Sequence, residues 1–275
     1  MAATPEPYSR RCPGWRSICA GMAGLLLATV AASTSAETLT AAVAANFTGT
    51  MQKLMPLFEQ QTGHQVRASY GSTGKLYAQI RQGAPFDVFL AADRHRPELL
   101  EQQELGVAGS RFTYARGRLA LWSRSLDAFN DPEAYLAAST GPRLAIGNPR
   151  TAPYGVAAME VLDALGLKST VRHRLVRGDS IAQTFQFVAT GNAEAGFVAL
   201  AQLRARDGES GASWVVPTSL HQPIDQQAIL LARSKHPETA RAWLEFLGSN
   251  EARAIIEKDG YDTGGTRSAD PSRPG

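Results

Sequence analysis

Residues 39–63 read LTAAVAANFTGTMQKLMPLFEQQTG, and their pattern decides the fold. Leu39 to Val43 is a short apolar run with strand character, Ala44-Ala45-Asn46 is a turn of small and polar residues, and Phe47 to Gln61 follows with helical spacing. Met51, Leu54, Met55, Leu57 and Phe58 fall on one face of that helix, Gly63 stands just past its end, and Asn46 is placed to cap its start. The unit is a strand, a polar turn and an amphipathic helix.

The same unit recurs outward along the chain. Gln65 to Ser69 leads through Gly71-Ser72-Thr73-Gly74 into a helix carrying Leu76 and Ile80, and Asp87 to Leu90 turns at Ala91-Ala92-Asp93. Further on, Leu144 to Gly147 leads through Asn148-Pro149 and Pro153-Tyr154-Gly155 into Val156 to Leu165, with Pro153 suited to a first helical turn. Leu175-Val176-Arg177 leads through Gly178-Asp179-Ser180 into Ile181 to Ala189, closed by Gly191. Alternation of this kind gives an α/β protein with mostly parallel sheets flanked by helices. Arg118 to Trp122 and Ala228 to Ala232 interrupt the order and are expected to be strands crossing between two lobes. One lobe then spans residues 37–116 and 223–263, and the other 117–222. Glu238 to Leu247 and Glu251 to Lys258 read as closing amphipathic helices, and residues 264–275 as a flexible polar tail.

Composition agrees with a folded chain of this kind. Of 275 residues 44% are hydrophobic and 19% charged, with 25 Gly and 15 Pro, which excludes disordered, collagenous and coiled-coil classes. Residues 1–36 read as a secretory signal peptide: Arg10, Arg11 and Arg16 precede the uncharged run Ile18 to Ala32, and Thr34-x-Ala36 offers small residues before the cut. The alternative, a retained N-terminal anchor, is disfavoured because the run is shorter than the roughly 17 residues a membrane helix needs. Ser9-Arg10-Arg11 is similar to a twin-arginine signal, although Cys12-Pro13-Gly14 follows where such signals carry apolar residues, so both export routes stay open. Removing the segment takes both cysteines with it and lowers the net charge from +3 to +1, since three Arg and one Glu leave. The exported chain is therefore expected in the periplasm, without disulfides, and without the clustered basic face of a nucleic-acid binder.

Asn46, Ser72-Thr73, Tyr154 and the Asp179-Ser180-Ile181 turn all stand at expected helix N-termini. Such ends expose unpaired N–H groups and the positive end of the helix dipole, so several converging on one cleft make an anion site without Lys or Arg. Other chemistries fit less well. Gly74-Lys75 is similar to a phosphate loop, but Ser69 stands where that motif needs Gly and Leu76 where it needs Ser or Thr. Gly178-Asp179-Ser180-Ile181 is similar to a serine-esterase nucleophile turn broken at Ala182, and no His lies in the setting such enzymes use. The five His, at positions 64, 95, 173, 221 and 236, have no metal-site spacing.

Five blocks carry a family resemblance: AAVAANFTGTMQKLMPLFEQQTG (41–63), VRASYGSTGKLYAQIRQGAPFDVFLAAD (66–93), LAIGNPRTAPYGVAAMEVL (144–162), RGDSIAQTFQFVATGNAEAGFVAL (177–200) and RAWLEFLGSNEARAIIEKDGYDTG (241–264). Together they resemble the molybdate-binding protein of bacterial ABC importers over about residues 38–263. That resemblance implies a two-lobed Venus-flytrap periplasmic binding fold, no catalysis and no cofactor, a monomer, and a membrane permease as partner. Molybdenum or tungsten would be held only as an oxyanion, molybdate or tungstate. Carried over by position, it implies ligand contacts from the Asn46 side-chain amide and backbone N–H, from Ser72 and Thr73, from the backbone N–H of Ala92, from Tyr154 and from the backbone of Ile181. Many relatives place a Tyr where this chain has Ala199, and Tyr154 is the expected replacement donor. Five to seven charge-assisted hydrogen bonds of roughly 1.5–3 kcal/mol each exceed the roughly 8–12 kcal/mol of micromolar to nanomolar binding before association costs. The runners-up are the same fold holding sulfate, phosphate or an organic anion, and, more remotely, an esterase using Ser180.

Overall fold

The computed structural model describes residues 36–205 and 211–264, so the expected signal segment up to Ser35 and the tail beyond Gly264 lie outside the described residues. In chain order the strands and helices are β1 (Thr38–Ala44), α1 (Thr48–Thr62), β2 (Gln65–Gly71), α2 (Thr73–Arg81), β3 (Val88–Leu90), α3 (His95–Gln102), β4 (Phe112–Gly117), β5 (Leu119–Ser123), α4 (Pro132–Ala137) and β6 (Leu144–Gly147). There follow α5 (Pro153–Ala164), α6 (Lys168–Val171), β7 (Leu175–Gly178), α7 (Ile181–Ala189), β8 (Ala195–Ala199), α8 (Leu200–Arg204), β9 (Ala212–Val215), β10 (Ile224–Leu230), α9 (Pro237–Leu247) and α10 (Asn250–Lys258).

These strands form two five-stranded sheets, ordered β2-β1-β3-β10-β4 and β7-β6-β8-β5-β9. The sheets share one plan. In each, three parallel strands lie side by side and a fourth runs antiparallel to its neighbours. The antiparallel strand is β5 in the second sheet and β10 in the first, each the first strand the chain lays down after passing from the other sheet. The passages themselves are the residue between β4 and β5 and the stretch between β9 and β10, and the two segments expected as crossing strands each pair within a single sheet.

Each sheet is covered on both faces, which explains its apolar runs. Along β1, Leu39, Ala41 and Val43 pack with α1, α9 and α10, while Ala42 faces the opposite side with Leu76, Phe89 and Leu100. Phe58 of α1 meets Trp243 of α9 edge to face, 5.1 Å between ring centroids. In the second sheet, Leu119 and Leu121 pack with α5, and Trp122 stacks on Phe185 of α7 at 4.6 Å. One apolar cluster includes Ala44, Ala45 and Ala92 from the first half together with Leu119, Tyr154 and Ile181 from the second. The two halves are therefore in contact around the carboxyl ends of their parallel strands.

Candidate functional site

Every strand–helix turn singled out in the sequence ends at one place. Asn46 lies in the 3-10 turn Ala45–Phe47 after β1, Ser72 and Thr73 follow β2, and Ala92 follows β3. From the second half, Tyr154 stands in the first turn of α5 and Ile181 is the first residue of α7. All six are at most 4% exposed and line a single narrow cavity of about 10 Å³, room for about one water, together with Ala44, Ala45, Gly71, Ala152 and Pro153. No Lys, Arg, Asp, Glu or His is in that lining. Crevices outside the carboxyl ends of strands are where open α/β sheets bind ligands.

Local chemistry explains the approach. An added Cβ at Gly155 would lie 2.1 Å from the Gly147 carbonyl oxygen, so only glycine lets the start of α5 lie against the end of β6 and bring Tyr154 inward. Gly74 donates its N–H to the Thr151 carbonyl at 2.9 Å, and Lys75 reaches Asp179 at 2.7 Å, so α2 of the first half is tied to the loops before α5 and α7.

The cavity presents donors without protein acceptors. Among the described residues, the backbone N–H groups of Thr73, Tyr154 and Ile181 donate to no carbonyl, as expected in the first turn of a helix. The Ser72 hydroxyl is buried and has no partner. Thr73 differs in detail from the sequence expectation: its hydroxyl oxygen accepts from the Ala92 N–H at 3.0 Å. The Ala92 N–H is thus spent on the protein, and the Thr73 hydroxyl keeps its own hydrogen as the donor.

Asn46 also departs from its expected part. α1 begins at Thr48 with no side-chain cap, because Asn46 sits in the preceding 3-10 turn and its side chain is drawn into the interior. Its amide nitrogen donates to Gln226 Oε1 at 2.8 Å and to the Tyr261 hydroxyl at 3.1 Å, which commits both hydrogens and leaves Oδ1 unpartnered. Tyr261 in turn donates to the Asn46 carbonyl at 2.8 Å. Gln226, fully buried on β10, donates from Nε2 to the Tyr154 hydroxyl at 3.1 Å, and its Oε1 also lies 3.1 Å from the Tyr114 hydroxyl. Gln226, Tyr114 and Tyr261 were not found in the sequence. Burial pushes the Tyr154 phenol well above its usual value, and the Gln226 hydrogen bond only partly opposes this. The phenols of Tyr114 and Tyr261 are raised for the same reason, so all three remain neutral at any ordinary pH.

Ser180 caps α7, its hydroxyl accepting from the Gln183 N–H at 3.2 Å, and no His is hydrogen-bonded to it among the described residues. Ala199, where the family resemblance leads to the expectation of a replaced Tyr, lies fully buried at the end of β8 and outside the cavity lining.

Comparison with known proteins gives a consistent picture. Residues 39–262 match the family described as bacterial extracellular solute-binding protein. The molybdate-binding protein ModA of Azotobacter vinelandii is 48% identical over 248 residues, covering 90% of this chain and 96% of that protein. The molybdate-binding protein ModA of Rhodobacter capsulatus is 46% identical over 223 residues, or 81% and 87% of the two chains. Among solved structures, the Azotobacter vinelandii periplasmic molybdate-binding protein superposes with a TM-score of 0.77 at 40% identity, over 82% of this chain and 98% of that one.

Proposed function

From the premise that this chain belongs to the bacterial extracellular solute-binding proteins, and among them to the molybdate-binding ModA proteins, we propose that it captures molybdate between its two lobes and delivers it to an ABC permease. The observation that carries this reading is the composition of the cavity. Helix N-termini and neutral hydroxyls converge from both halves on one small cavity whose lining holds no Lys, Arg, His, Asp or Glu.

Such a site suits a bare tetrahedral dianion. The Ser72 hydroxyl, the Thr73 hydroxyl and N–H, the Tyr154 hydroxyl and N–H, and the Ile181 N–H supply six hydrogens. Together with the positive ends of α2, α5 and α7 they stabilise negative charge without a counter-ion. A protonated phosphate needs an acceptor for its proton, which in this lining falls to the unpartnered Asn46 Oδ1 or to a hydroxyl oxygen, whereas a bare dianion can use every N–H and O–H as a donor. Tungstate, with the same charge and shape, is expected to bind as well. Sulfate has the same charge but is smaller, so cavity size sets that discrimination.

We take the lobes as residues 37–116 with 223–263 and residues 117–222, acting as a monomer in the periplasm after loss of residues 1–36. The open form admits the ion, and the closed form is favoured because only there do donors from both lobes meet. The closing contacts are the Gly74–Thr151 hydrogen bond and the Lys75–Asp179 ion pair. The protein is a carrier and not a catalyst, with Ser180 serving as a helix cap. Titration calorimetry of the mature chain tests the reading: 1:1 binding of molybdate and tungstate, and at least a hundredfold weaker binding of sulfate and phosphate, is the expected result. Equal affinity for phosphate would refute selection of a bare dianion by a donor-rich site.

A further inference from the structure

Gln226 sits where the two halves join. It lies on β10 at a bulge between Gln226 and Gln227, and bulges re-aim the side chains they carry. Its carboxamide faces two ways. Oε1 accepts from Asn46 of the first half, and Nε2 donates to the hydroxyl of Tyr154, on α5 of the second half. Room for the second bond depends on Gly117, the last residue of β4. An added Cβ there would lie 2.2 Å from the Tyr154 oxygen and 2.8 Å from Gln226 Nε2.

A hydroxyl has one hydrogen. If it accepts from an amide N–H it keeps that hydrogen for another partner, and if it donates to a carbonyl it has none left. The direction of the Gln226–Tyr154 bond therefore decides what Tyr154 can offer the cavity. The orientation of Gln226 is set chiefly by the Asn46 amide donating to its Oε1, with the Tyr114 hydroxyl, whose one hydrogen is shared with the Ala91 carbonyl at 3.3 Å, as a second contact, and Asn46 is held in turn by Tyr261. We infer that Gln226 is a positioning residue for oxyanion binding: it never meets the ligand, but fixes the polarity of a hydrogen-bond chain across the lobes so that Tyr154 directs its O–H into the cavity. The inference rests on the molybdate reading and adds the group that makes Tyr154 a donor.

Gln226→Met keeps the size of the side chain and removes its polarity. Combined with Tyr154→Phe in a double-mutant cycle, it separates positioning from mere packing. With molybdate as the probe and calorimetry as the readout, Tyr154→Phe should weaken binding about tenfold to a hundredfold, the range of one charge-assisted hydrogen bond. Gln226→Met should cost a similar factor in the wild-type background, and no more than about threefold when Tyr154 is already Phe.

Gln226→Glu gives a second readout that a packing role would not move. The groups facing this position are the neutral phenols of Tyr114, Tyr154 and Tyr261 and the Asn46 amide, so a buried carboxyl there has no cation to hold it ionised. Protonated, it can donate to Tyr154 as the amide does; ionised, it takes the Tyr154 hydrogen and repels the ligand. Affinity of that variant should fall at least tenfold as pH rises through the raised pKa of the carboxyl, while the wild type stays flat. Equal losses from Gln226→Met in both backgrounds, or a flat profile for Gln226→Glu, with wild-type binding intact, would overturn the positioning role alone. A wild-type protein that takes up no molybdate would overturn the underlying reading and this inference together.

Discussion

Replacing Ser72 with Ala separates a ligand donor from a structural one, because the two roles predict opposite signs. Ser72 precedes α2 in the N-cap position, where a capping side chain normally accepts from the helix, and loss of such a cap costs about 1 kcal/mol of stability. Here, however, the hydroxyl caps nothing and is buried without a partner. An unsatisfied buried group of this kind costs about 1–3 kcal/mol where water cannot reach it, and nothing once the lobes part and hydrate it. Ser72→Ala should therefore leave the ligand-free protein as stable as before or up to about 1 kcal/mol more stable, which is a rise of about 0–4 °C in melting temperature for a chain of this size. In the complex the same hydroxyl supplies a charge-assisted hydrogen bond of about 1.5–3 kcal/mol, so molybdate binding should weaken about 12- to 140-fold. Differential scanning calorimetry of the ligand-free variant and isothermal titration with molybdate read the two quantities separately. A destabilised protein with unchanged affinity would show that Ser72 is a cap, and would refute the reasoning.

Gly117→Ala places a methyl group 2.2 Å from the Tyr154 oxygen, so it should weaken molybdate binding about tenfold or more and cost about 1–3 kcal/mol of stability from overpacking, read by titration and by urea unfolding. Lys75→Ala removes an interlobe ion pair whose side chains are 52% and 66% exposed, so molybdate affinity should change less than about fivefold, and that difference should vanish at high salt. The buried phenols of Tyr114, Tyr154 and Tyr261 have pKa values raised above 10 in the folded state, so the unfolded chain loses these protons first as pH rises. The stability linked to them is whole below pH 10 and falls above it, by up to about 1.4 kcal/mol per pH unit for each phenol, which circular dichroism should show as cooperative alkaline unfolding.

Much of the site was legible because its parts are local. A helix N-terminus is announced by residues within one turn of it, and the turns holding Ser72, Thr73, Tyr154 and Ile181 stand where the alternation of strand and helix puts them. What brings those turns to one cavity is the pairing of strands in two sheets of the same plan, which the repeated unit implies but no single segment contains. Asn46 shows the opposite case. Its type favours a helix cap, yet tertiary partners 180 and 215 residues away, Gln226 and Tyr261, override that preference. Gln226 was invisible for the same reason: a Gln in an apolar strand carries no local mark, and its meaning comes from Asn46, Tyr114 and Tyr154, each more than 70 residues distant. The strands β4, β8 and β9 were also missed; β4 and β9 lie at sheet edges, while β8 is central and wholly buried, so edge position does not account for all three.

The central claim, that uncharged donors from both lobes enclose the ion, is tested most directly by diffraction from crystals grown with molybdate, using the anomalous signal of the metal to locate it. A single strong peak is expected in the cavity between Ser72, Thr73, Tyr154 and Ile181, with ligand oxygens at hydrogen-bond distance from their O–H and N–H groups and no Arg or Lys in contact. A peak elsewhere, held by cationic side chains such as Arg94 or Arg172, would contradict it.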